Sequence, residues 1–268
     1  MGNILKDHIK FHKQLWGMAV VDLKRKFSGA ALGWSWAIIK PAFMLFIYWF
    51  VLTVGLKTTK KNGIDENIFL TWLVVGLAAW FFINDGIRSG MGSMNKYKFL
   101  INKMKFPVNI IPSFTIISDL LVHLILIIIA FLLLGVSGNL IFSVYWVQLP
   151  LYLILSIMFL WALSQVLAPL TVLSKDFSAL MKTFLQGLFW MSGILFNIES
   201  IGSKTMRWLL KINPVTFLVE GYRHSICLNE WIWQRPNMLC AFIVEMIIIL
   251  WLGLFVGKRT RKELADVI

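Results

Sequence analysis

The residues able to do chemistry are few and widely spaced. His8 and His12 stand four apart, as do Asp119 and His123, and a four-residue step puts two side chains on one helical face. Neither pair comes with the further ligands that a zinc site needs. The run Gly202-Ser203-Lys204-Thr205 looks like part of a phosphate loop. It lacks the glycine five residues before the lysine-containing end that such a loop requires, and Gly257-Lys258-Arg259 fails at its next position. No nucleophile elbow and no paired loop carboxylates are present. The expectation is therefore no catalytic residue and no metal site in this chain. Any energy source must be supplied by another polypeptide.

The elements that position these residues dominate the composition. Of 268 residues, 59% are hydrophobic and 15% charged, whereas a soluble domain is nearer half apolar and a quarter charged. The excess lies in blocks such as 43–54, 124–134 and 243–256. A bilayer crossing takes about 20 apolar residues as a helix, and lipid leaves backbone amides no other partners. Six spans are predicted: 38–56, 68–87, 108–135, 145–173, 179–197 and 238–257. The fold class expected is an all-α integral membrane protein, a single transmembrane domain over 1–268. No removable signal peptide is read at the start.

A net charge of +13 on a soluble protein would suggest nucleic acid, but here the cations fall between apolar blocks. With the N-terminus inside, 18 of the 26 Lys and Arg residues lie on the inner side, so both termini are expected in the cytoplasm of a multi-pass cell-membrane protein. Trp34, Trp36, Trp146, Trp231 and Trp233 sit where interfacial aromatics belong. Residues 4–27 carry Leu5, Ile9, Trp16, Val20, Leu23 and Phe27 at helical spacing, with most lysines off that stripe. Such a helix lies in the interface plane. It opens an N-terminal region, 1–37, that ends in a glycine-rich turn. Cys227 and Cys240 are free thiols or one outer bridge.

Specific blocks carry a resemblance. Asp22 to Trp36 reads Asp-Leu-Lys-Arg-Lys-Phe-Ser-Gly-Ala-Ala-Leu-Gly-Trp-Ser-Trp and is followed by Pro41. It resembles the approach to the first span in ABC transporter permeases that export polysaccharides. Ile212 to Arg223, beginning Ile-Asn-Pro-Val-Thr-Phe, resembles the outer segment before the last span of that family. Ile47 to Val51, Trp80-Phe81-Phe82 and Met104 to Pro112 look closest to its wall teichoic acid branch.

The resemblance implies a homodimeric permease bound to two copies of a separate ATPase, which would hold the ATP and Mg. The cargo it implies is a polyprenyl-diphosphate-linked polymer, with teichoic acid first. The coupling contact would lie in cytoplasmic segment 88–107, where Tyr97, Phe99, Lys103 and Phe106 are the candidates for docking in a partner groove. Lys175 and Asp176 would form a smaller second contact. Lys24, Arg25 and Lys26, with Gly29, Leu32 and Gly33, would gate and recognise the lipid diphosphate, since such a group needs several cations or amide donors. Tyr48, Trp49, Trp72, Trp80, Phe81 and Phe82 would offer aromatic faces to the polymer. Asn213, Pro214, Glu220 and Arg223, in an outer segment 198–237 with short re-entrant helices, would shape the exit.

Ionisable residues inside spans are costly and default to function. Asp85, Asp119, His123 and Glu245 are of this kind, and pairing that stabilises a dimer is the reading preferred. The alternatives are an ABC permease for O-antigen, capsule, a lipid or a drug. From a different class comes a membrane-embedded polyprenyl-lipid transferase, for which acidic or histidine loop pairs are lacking.

Overall fold

The computed structural model describes residues 2–56, 64–103, 108–140 and 142–259; the side chains of 2–5, 66, 67, 101–103, 109 and 258 are outside that description. Helices account for nearly all of it. They are α1 (Gly2–Lys10), α2 (His12–Phe27), α3 (Trp36–Phe50), α4 (Glu66–Lys96), α5 (Lys98–Lys103) and α6 (Ile111–Val136). After these come α7 (Leu149–Leu173), α8 (Lys175–Met191), α9 (Lys204–Ile212), α10 (Pro214–Arg223) and α11 (Pro236–Arg259). Proline stands at one of the first two positions of α6, α7 and α10, where its missing N–H removes no helical bond.

Among the described residues, five helical stretches are long and apolar enough to cross a membrane: Gly33–Gly55, Ile68–Lys96, Ile111–Val136, Val144–Leu173 and Pro236–Gly257. The expected span at 179–197 falls on α8, which has 17 residues and ends at Met191. That is about 26 Å of helix against a hydrocarbon core of about 30 Å. Lys175, Asp176 and Lys182 lower its apolar content further.

The centre of the bundle is α4, packed against α6, α7, α8 and α10. Its contact with α7 is close because glycines face side chains there: a Cβ on Gly86 would lie 2.5 Å from Leu160 Cδ1, and one on Gly90 would lie 2.8 Å from Ser164 Cβ. Small residues four apart let helices approach in a membrane. By contrast α11 shows a broad apolar flank, including Ile243, Val244, Ile247, Ile248, Trp251 and Phe255.

The N-terminal helices do more than lie in a plane. The buried face of α2 is Leu15, Ala19, Asp22 and Leu23, and Leu15 and Ala19 cluster with Tyr97, Leu100, Ile110, Ile111 and Phe114. Of the predicted stripe, Ile9 and Trp16 point away and are exposed. One side of the helix thus packs on the ends of α4 and α6, and another apolar side is left for the interface. Both cysteines are unbridged.

Candidate functional site

The main cavity, about 510 Å³, lies between α3, α4, α6 and α8. Helical spacing builds it. Lys40, Met44 and Tyr48 are each four apart on α3; Phe81, Asp85 and Arg88 share one face of α4; Asp119, Val122 and His123 share one face of α6; Gln186 and Phe189 come from α8. Its two ends differ in character. Lys26, Lys40, Asn84, Asp85, Arg88 and Asp119 gather at the end nearer α2. Tyr48, Trp80, Phe81, Phe82 and Phe189 gather about two turns away, with the Phe189 ring centroid 5.4 Å from those of both Tyr48 and Trp80. An amphiphile with a charged head and an apolar or ring-bearing body fits this division. His123 lies between, its ring stacked on Phe82 at 4.5 Å and its Nε2 3.1 Å from the Tyr222 hydroxyl.

Beneath the polar end runs a chain of ionic contacts. Lys26 Nζ donates to Asp119 Oδ1 at 2.5 Å and lies 3.4 Å from Asp22 Oδ2. Ser89 donates its hydroxyl to Asp119 Oδ2. Asp22 Oδ1 accepts from Lys96 Nζ at 2.6 Å and from the Tyr97 hydroxyl at 2.5 Å. Burial by itself would raise the Asp22 carboxyl, but Lys96, Tyr97 and Lys26 together hold it below the usual carboxylate value. Burial and the same carboxylate push the Tyr97 phenol upward.

A second cluster sits at the opposite end of the bundle. Arg223 is fully buried and donates to the carbonyls of Trp72 (3.2 Å), Gly193 (2.8 Å) and Ile194 (2.7 Å), and to Glu220 Oε1 (2.7 Å). Asn213 caps α10 by accepting from Val215 N and donates to Ser192 Oγ at 2.8 Å, while Pro214 opens α10. Glu199 faces Lys211 at 2.5 Å, and the Lys211 hydrogen bond holds the Glu199 carboxyl below its ordinary value.

Several expected sites move. Tyr97 is 1% exposed and packs inward, so it secures the segment from within and cannot itself touch a partner; Phe99, two residues on, is 48% exposed. Phe106 and the Lys103 side chain lie outside the described residues. Lys175 and Asp176 are exposed at the start of α8. Lys24 and Arg25 are exposed, but Lys26 is held by two carboxylates, so the three cations do not act as one patch. Gly29 (φ 84°) and Gly33 (φ 48°) take left-handed conformations that suit glycine, making a tight turn that leaves Leu32 exposed.

Four of the six channel aromatics, Tyr48, Trp80, Phe81 and Phe82, line the cavity. Trp49 is turned outward, and Trp72 is buried beneath Arg223. Asn213, Pro214 and Arg223 serve as internal ties; Glu220 reaches a separate pocket of about 210 Å³ with Asp65, Glu199 and Glu230. Asp119 and His123 turn to Lys26 and Tyr222 within the same chain. Lys40, Arg88, Gln186 and Phe189 were missed in the cavity. In the structure Lys40 and Arg88 are cations about two turns inside the stretches Gly33–Gly55 and Ile68–Lys96, whereas the predicted spans left Lys40 at an edge and Arg88 outside.

Five long apolar helices among the described residues, three of which line an amphiphilic cavity, define a multi-pass membrane protein. The chain belongs to the ABC-2 type transporter family, whose family model matches residues 13–227. It is similar end to end to the O-antigen export system permease protein RfbA of Myxococcus xanthus, at 22% identity over 267 residues and 99% of each chain. Two proteins of that description from Klebsiella pneumoniae match at 23% and 24% identity, each over 92% of both chains.

Proposed function

We propose that this chain is the membrane permease of an ATP-driven exporter that carries a polyprenyl-diphosphate-linked glycopolymer from the cytoplasmic to the outer face. The observation that carries the reading is the end-to-end similarity to O-antigen export permeases. The cavity supports it, because cations near α2 and aromatic rings further in suit a phosphorylated head joined to lipid or sugar. Two such chains and two separate ATPase subunits, holding ATP and Mg, make the working unit. Phe99 on α5 is the leading contact for the ATPase, with Lys175 and Asp176 the second.

In this arrangement both termini are cytoplasmic and α8 completes a sixth crossing. Thr171, just before α8, bonds to Met91 O near the α2 end, whereas Glu199, just after it, lies with Asp65 at the Arg223 end. The path from Lys175 to Glu199 thus runs the height of the bundle, and α9 and α10 form re-entrant helices at the outer leaflet. Lys24, Arg25 and the Gly29–Gly33 turn receive the diphosphate at the inner face.

The relatives favour an O-antigen-type polysaccharide, and the blocks at 47–51, 80–82 and 104–112 favour teichoic acid. Reconstitution of the permease with its ATPase in vesicles, supplied with each labelled lipid-linked polymer, separates them. ATP-dependent transfer of one polymer is expected. Transport without any ATPase, or polymer transfer onto an acceptor by the chain alone, would overturn the reading.

A further inference from the structure

Lys26 occupies an unusual position. It reaches the floor of the cavity, yet it belongs to α2, the helix that packs on the base of α5. Its ammonium has three donors. One serves Asp119 at 2.5 Å, and a second faces Asp22 Oδ2 at 3.4 Å, an oxygen that is buried and has no hydrogen bond among the described residues. The third is available to whatever enters the cavity. Asp22 is in turn bonded to Lys96 and Tyr97, the two residues at the junction of α4 and α5. A continuous series of contacts therefore runs from the cavity floor through Lys26 and Asp22 to the root of the exposed Phe99 segment.

The groups facing Lys26 set its ligand. Asp119 and Ser89 approach from α6 and α4, and Asp85, Arg88 and Lys40 line the same end of the cavity. With Asp22 and its partner Lys96 included, four cations face three carboxylates, and this end keeps an excess of one positive charge. Lys40 and Arg88 are exposed to the cavity, and Arg88 spends only its Nε on Asn84. A phosphoryl group can take Arg88 by its remaining fork and both ammonium groups by single bonds.

We propose that Lys26 is the ligand sensor of the cavity. A phosphoryl group held by Lys40 and Arg88 engages the third Lys26 donor, draws the ammonium off Asp22, and so alters the Lys96–Asp22–Tyr97 junction that positions α5. Lys26, Lys40 and Arg88 are binding residues; Asp22 is a positioning residue that never touches the ligand. The inference rests on the export reading, but its binding half does not need the ATPase.

The test uses the full chain in nanodiscs, with a long-chain polyprenyl diphosphate and inorganic diphosphate as separate probes. Lys26→Gln and Lys40→Gln should each weaken polyprenyl diphosphate binding about tenfold. Asp119→Asn should tighten it, because a competitor for Lys26 and a repelling charge are both removed. Asp22→Asn should bind within about twofold of the native chain yet lose the ligand-stimulated increase in ATP hydrolysis when the ATPase is added. Tyr97→Phe keeps the ring packing and removes only the hydroxyl, so it should show a weaker form of the same split and carries the test should Asp22→Asn fail to fold. Equal competition by inorganic diphosphate supports a site that reads the phosphoryl group alone, and a clear preference for the lipid supports one that reads the tail as well. Unchanged binding by Lys26→Gln overturns the sensor. Full stimulation in both Asp22→Asn and Tyr97→Phe overturns the relay. Tight binding by a native chain that couples to no ATPase sinks the export reading while the contact stands.

Discussion

The guanidinium of Arg223 lies 3.4 Å from the centroid of the Trp72 ring, stacked on the indole with no solvent on either side. Four of its five N–H groups donate, to carbonyls just past α8 and on α4 and to Glu220. Removal of one partner from a buried pair leaves the other uncompensated and costs about 3–5 kcal/mol. Arg223→Ala should therefore abolish a cooperative melt in detergent, and Arg223→Lys should recover only part of it, because one ammonium cannot span four acceptors. A melt unchanged by Arg223→Ala would show that α10 is held by apolar packing alone.

The α4–α7 seam makes a second claim. At Gly90 a Cβ would meet the Ser164 Cβ at 2.8 Å, while at Gly92, two residues on, nothing lies within 4 Å. Overpacking typically costs about 1–3 kcal/mol, whereas Ala for Gly at an open helical site gains up to about 1 kcal/mol. Gly90→Ala should lower the melting temperature and Gly92→Ala should leave it level or raise it. Thermal unfolding of the two variants side by side checks the sign.

How far the sequence led can be judged from these residues. The long apolar blocks announced the long helices, since length and hydrophobicity decide crossing in lipid. Only the end of the α8 region was misread, because its apolar run continues through Ser192-Gly193-Ile194-Leu195, where the chain leaves the helix and Gly193 takes φ 63°. Tyr97 read as a docking residue because it stands among cations two residues before Phe99. Its real partner, Asp22, is 75 positions away, and no local pattern encodes that pairing. Arg223 was read as an exit residue, but its burial depends on Gly76 leaving room beside α4, which only the packing reveals.

The pH response of the inner end follows from Asp22. Its carboxyl is held below the model-peptide value near 3.9. A carboxyl lowered on folding adds stability that is fully present above that unfolded value and is lost as pH falls through the lower folded one. Detergent-solubilised protein should thus keep its α2 docking at mildly acid pH and release it only below about pH 4. Hydrogen exchange at the α2 amides across that range is the measurement. Protection lost already at pH 6 would mean that another group governs the contact.

The last prediction concerns the exposed ring of Phe99. The segment behind it is fixed by Tyr97, whose ring meets Phe114 edge-on at 4.8 Å and whose hydroxyl is held by Asp22. A large apolar side chain held out from so rigid a base loses little conformational entropy when a partner covers it, and full burial of a Phe contributes about 1.5–3 kcal/mol. Phe99→Asp should leave the melt of the permease alone unchanged, because the residue supports none of the core, and should weaken association with the ATPase by at least about tenfold, the equivalent of 1.4 kcal/mol. Trp49→Asp is the contrast, since that ring projects from α3 within a span: it should lower membrane insertion without changing affinity for the ATPase in the fraction that inserts. Co-purification of the two subunits with each variant decides the matter, and an undiminished complex with Phe99→Asp would move the docking surface away from α5.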